Sequence, residues 1–176
     1  MVGIPEDPLQ GEAETSEVSS KAWLLSGISS LPGLLQLDDG QLTFTSFGTG
    51  SLWPFQLRAL ERAASKPGFA HKIDSGERSE LFSAPFAEVS DVLFPWYYFG
   101  CGMKLVVRGI RYRFSFVQPQ NSPELPEMGV SLADGRNVGR RWKSALVLGP
   151  IRKGQSPPPR NGDTGNSFGE SRLRNS

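Results

Sequence analysis

The chain has 176 residues, 38% of them hydrophobic and 21% charged, with a formal net charge of +1 at pH 7. That length suits one domain with a single core, and so weak a net charge excludes a global field for nucleic acid or acidic membrane, leaving any electrostatic function local. The lone cysteine, Cys101, excludes an intrachain disulfide and a thiolate metal cluster and fits a reducing, cytoplasmic setting.

Residues 1–20 hold five acidic residues, no Lys or Arg and no apolar stretch, so they do not read as a signal or transit peptide. They are expected to be disordered, as is the Pro/Gly/Ser-rich segment 150–176, because neither can bury enough surface to offset the entropy of ordering. The folded domain is therefore expected over 21–149, and no window in it is apolar for long enough to span a bilayer.

The segment LLQLDDGQLTFTS predicts a hairpin. An Asp39-Gly40 turn of type I′ pairs Leu37 with Leu42 and Leu35 with Phe44 on a core face, with Leu34, Gln36, Thr43 and Thr45 opposite. In PFQLRALERAASKPG, Pro54 suits the first helical position, Leu57, Leu60 and Ala64 form an apolar stripe, and Pro67-Gly68 forces a stop. GFAHKIDSGERSE around His71 reads as a polar loop. SDVLFPWYYFG, rich in aromatic and β-branched residues, predicts a strand over about 92–99 with Pro95 at a bulge or an edge. MKLVVRGIRYRFSFV predicts a second hairpin turning at Arg108-Gly109. Its register puts Met103, Leu105, Val107, Ile110, Tyr112 and Phe114 on one face and Lys104, Val106, Arg111 and Arg113 on the other. Finally, DGRNVGRRWKSALVLGP places Val138, Trp142, Ala145 and Leu146 on one helical face, ended by Gly149-Pro150.

The stretches PGLLQLDDGQLTFTS, FPWYYFGCGMKLVVRGIRYRFSFV and GRRWKSALVLG, in that order, resemble the PH-like superfold and within it the bacterial GRAM-like or short PH-like domains. The resemblance implies a mainly β fold with helices: a partly open barrel of two antiparallel sheets, one inserted helix and a C-terminal capping helix. The inserted helix departs from the family, where that region is usually a loop. The resemblance also implies a binding module for phosphoinositides, other anionic lipids or peptides. The first hairpin, where the family's basic headgroup residues usually sit, offers only Gln36, Asp38 and Asp39.

Three groups are candidates for ligand binding. Lys104, Arg108, Arg111 and Arg113 share one hairpin face and could hold phosphate, or could simply keep an outer face soluble. Arg58, Arg62 and Lys66 fall at four-residue steps on the predicted helix, with Glu61 in reach of Arg58. Trp96 and Tyr98 lie in the aromatic run, where alternation turns about half the rings inward and leaves the others to meet a partner. Trp142 reads as a core plug rather than a stacking site, and His71 as a surface residue. No P-loop, dinucleotide fingerprint or HExxH pair is present, so no enzyme activity, cofactor or metal is expected. Stray carboxylates such as Glu80 and Glu88 leave only a remote hydrolase reading. The expectation is a non-enzymatic cytoplasmic interaction module for a protein or peptide partner, with peptide addition to an open sheet edge as one mode. The alternative is peripheral binding to anionic membrane lipid through the basic hairpin face.

Overall fold

The computed structural model describes residues 17–120, 122 and 131–148. Seven strands run β1 (Val18–Ser26), β2 (Ser29–Asp38), β3 (Gln41–Phe47), β4 (Arg78–Pro85), β5 (Val89–Leu93), β6 (Gly102–Val107) and β7 (Ile110–Ser115). Between β3 and β4 lie α1 (Pro54–Ala63) and α2 (Phe69–Asp74), and α3 (Leu132–Lys143) continues into a π turn over Ser144–Leu148.

Both hairpins form in the register their sequences dictate. Leu37 faces Leu42 and Leu35 faces Phe44 across β2–β3, while Val107 faces Ile110, Leu105 faces Tyr112 and Met103 faces Phe114 across β6–β7. Each turn places two residues in the left-handed region, Asp39 and Gly40 in one and Arg108 and Gly109 in the other, the geometry that matches strand twist in a two-residue loop.

All pairings are antiparallel, and the sheet order is β4-β3-β2-β1-β7-β6-β5. The sheet is two meanders, β1–β4 and β5–β7, joined by a seam of only two residue pairs, Trp23 with Ser115 and Leu24 with Phe114. It is strongly curled. Four inter-strand steps separate β4 from β7, about 19 Å on a flat sheet, yet the rings of Phe82 and Tyr112 lie 4.7 Å apart. Phe44 and Phe114 likewise meet at 5.1 Å. No ladder joins β4 to β5 among the described residues, so the curl is a partly open barrel with its core on the concave side. Gly33 allows this closure, since a Cβ there would collide with the ring of Phe44.

Helices close the two ends. Pro54 opens α1 at its first turn, and Leu57 is buried in the core with Leu60 and Ala64 packed against it. The side-chain amide of Gln56 donates to the carbonyl of Ser26 at the end of β1 (3.4 Å). At the other end of β1, the indole N–H of the fully buried Trp142 on α3 donates to the Ser20 hydroxyl (2.7 Å), and its ring stacks on Phe116. Val138 and Ala145 pack against the core, and Leu146 is buried in it with Trp142. Ser20 and Ser26 are about 20 Å apart along a strand, so α1 and α3 sit over opposite mouths.

Three expectations need correction. β1 begins at Val18, inside the segment expected to be disordered; 1–16, Gly149-Pro150 and 151–176 lie outside the described residues. The stretch around His71 contains a helix, α2, because Phe69 and Ile73 reach the core while His71 stays exposed. The strand expected over 92–99 ends at Leu93, and Trp96–Tyr98 form a 3-10 turn. Pro95 cannot donate to a ladder, and Phe99 sits in the left-handed region at φ 50° and turns the chain into β6.

Candidate functional site

The β5–β6 connection builds an exposed aromatic ridge. Trp96 is 83% exposed, Phe99 66% and Leu93 59%, with Tyr97 also outward. The turn that carries them is held firmly. The N–H groups of Tyr98 and Phe99 donate to the carbonyls of Pro95 and Trp96, and that of Cys101 donates to Tyr98 (2.8 Å). Arg136 of α3 donates from Nε to the carbonyl of Phe99 (3.3 Å). Phe94 turns back onto the core, and the Tyr98 ring lies over Gly102, so close that a Cβ there would not fit. Of the two aromatic candidates, Trp96 is therefore free for a partner and Tyr98 is a packing residue. Leu93 and Phe99 complete the ridge.

Beside it lies the outer face of β6–β7. Lys104 pairs across the ladder with Arg113 on one side and Leu93 on the other, and its ammonium stands 5.2 Å from the centre of the Tyr97 ring. Such placement is a cation–π contact. It joins two candidate groups into one surface, with Arg111 two pairs further along opposite Val106. Lys104 and Arg113 are like charges directly opposed, an arrangement that costs stability. Neither they nor Arg111 has an acidic partner among the described residues. Arg108 differs, because it is ion-paired with Glu88 just before β5. Among the described residues the hairpin thus offers three cations without an ion pair rather than four.

The helical stripe is also divided. Lys66 is bonded to Glu80 of β4 (2.7 Å), and Arg62 donates to the backbone of Arg58. Glu61, expected in reach of Arg58, instead accepts the N–H of Ala70 (2.8 Å) and ties α1 to α2. No bond joins this stripe to the β6–β7 face among the described residues.

Strand β5 is a poor template for peptide addition. It has five residues, its ladder to β6 is interrupted between Ser90 and Leu93, and Asp91 is left-handed at φ 49°. Short, bulged edges resist further pairing. Glu80 and Glu88 are each tied to a cation, and among the described residues no three His, Cys, Asp or Glu gather at one point. Burial pushes the Cys101 thiol above its usual range, with the Arg136 guanidinium offsetting part of the rise. A thiol so held is a weak nucleophile. No helix among the described residues is long and apolar enough to cross a membrane.

Sequence reasoning missed Leu93, since its outward direction depends on the bulge. It also missed that Ile28, Trp53 and Phe55 are exposed. Comparison with protein-family models, with curated proteins and with solved structures finds no match to this chain.

Proposed function

We propose that this chain is a non-enzymatic interaction module of PH-like type that docks a protein or peptide partner on the ridge of Leu93, Trp96, Tyr97 and Phe99. The observation carrying this reading is a set of large apolar side chains held exposed on a hydrogen-bonded turn and flanked by Lys104, Arg111 and Arg113, cations with no ion pair among the described residues. Exposed Trp in water is a cost that a partner's pocket relieves, and Trp, Tyr and Arg are the residues on which interface energy concentrates. The cations match a partner whose apolar anchor is bordered by acidic residues. Two antiparallel meanders followed by a capping helix support the PH-like reading.

The test is affinity capture from the native cytoplasm with the wild-type chain and with Trp96→Ser/Phe99→Ser. A partner retained by the wild type and lost with the double variant supports the reading. Equal retention by both overturns it.

A further inference from the structure

The ridge has a complementary segment within the chain itself. Residues 1–16, which lie outside the described residues, carry Glu6, Asp7, Glu12 and Glu14 and no Lys or Arg, with Ile4 and Leu9 on either side of the Glu6-Asp7 pair. Apolar side chains bordered by acids are what Leu93, Trp96, Tyr97 and Phe99, beside Lys104, Arg111 and Arg113, would recognise. Lys104 and Arg113 are opposed like charges with no ion pair among the described residues, and a carboxylate laid across them relieves that repulsion.

The fold brings the start of β1 to the same mouth as the ridge. β1 and β6 both run antiparallel to β7, so they are parallel to each other, and Trp23, Ser115 and Gly102 form one row across the three strands. That row spans two inter-strand steps, about 10 Å. Traced back from it, β1 reaches Val18 in five residues, about 17 Å. The backbone before Gly102 leaves on the same side, where the carbonyl of Cys101 accepts from the N–H of Phe116 (2.7 Å), and turns at Phe99. Helix α3 spans both places, since Trp142 bonds Ser20 and Arg136 bonds Phe99. Those two helix positions are about 9 Å apart along the axis. From Val18 to the ridge is then about 20 Å, which six extended residues cover, so the chain before Glu12 reaches it.

We propose that segment 4–14 folds back over the ridge and competes with the partner for it; the competition, though not the contact, rests on the ridge being a docking face. A tether this short holds the segment at an effective concentration on the order of millimolar, so a contact too weak to form between separate molecules is populated within one. A partner must then displace the chain's own acids before it docks.

The experiment places a nitroxide at position 10 of the purified full chain (Gln10→Cys, with Cys101→Ala to leave a single thiol) and follows the indole N–H resonances of the four tryptophans by NMR. Trp96 is assigned by the resonance missing from Trp96→Phe. Its signal should be lost with the nitroxide oxidised and return when ascorbate reduces it, while Trp53, over the opposite mouth, keeps its signal throughout. Neutralising the segment with Glu6→Gln/Asp7→Asn/Glu12→Gln/Glu14→Gln should restore the Trp96 signal, as should raised salt. In affinity capture the neutralised chain should retain more partner than the wild type. A Trp96 signal that the nitroxide leaves unchanged overturns the proposal. So does a loss that neutralisation fails to relieve, because the tether alone then brings the label near, and equal capture by the two chains overturns the competition. The resonance is read without a partner: a ridge that captures nothing while Trp96 responds as expected rejects the docking reading and leaves the contact standing.

Discussion

Gly139→Ala separates helix propensity from packing. In an exposed helix interior Ala is more favourable than Gly by about 1 kcal/mol, so propensity alone predicts a stabilised variant. Gly139, however, is where α3 crosses the turn that leads into β6. A Cβ there would overlap the carbonyl oxygen of Gly100, with the Gly100 carbon at 3.0 Å and the Phe116 ring at 3.6 Å. The obstacle is backbone held by Cys101 and Arg136, not a side chain that can rotate away. Overpacking costs about 1–3 kcal/mol, and a backbone overlap belongs at the upper end. Setting that against the propensity gain leaves a net loss of about 2 kcal/mol, or about 8 °C in Tm at roughly 4 °C per kcal/mol for a domain of this size. Thermal unfolding followed by far-ultraviolet circular dichroism reads it directly. An unchanged or raised Tm would refute the close crossing of α3 over Gly100.

Ser20→Ala removes the acceptor of the buried Trp142 indole and should cost about 1–3 kcal/mol in urea unfolding. Burial pushes the Tyr112 phenol up to about 12, against a small opposing effect of Arg108. Its folded value is raised, so the neutral form is favoured in the fold: its contribution is complete below about pH 10, the unfolded value, and about 2–3 kcal/mol is lost as pH rises towards 12. Stability against pH should therefore fall less steeply in Tyr112→Phe across that window. Trp96→Ser/Phe99→Ser should leave urea stability within about 0.5 kcal/mol of the wild type, because both rings face solvent.

The two hairpins were legible because strict alternation and left-handed turn residues point to one register. Strand β1 was not, since Ala22, Trp23 and Leu24 are all buried although successive residues face opposite sides of the sheet, which erases the alternation. In β4 the register shifts beside Phe44, and neighbouring Leu81 and Phe82 are both buried. Helix α2 has six residues, too few for a helical period to show. The aromatic run invited a strand because aromatics favour strands, but Pro95 and the left-handed Phe99 decide its path. The basic residues on the hairpin were placed correctly on one face, yet which of them carry free charge depended on Glu88, as Lys66 of the other basic group depended on Glu80, and only the folded chain reveals those positions.

A photoreactive phenylalanine analogue placed at Phe99 in the living cell, compared with the same group at the exposed Gln41 at the start of β3, tests the ridge as a docking face. One discrete covalent adduct is expected from position 99 and none from position 41, and the adduct should be lost when Trp96→Ser is added. No adduct at 99, or the same adducts from both positions, would contradict it.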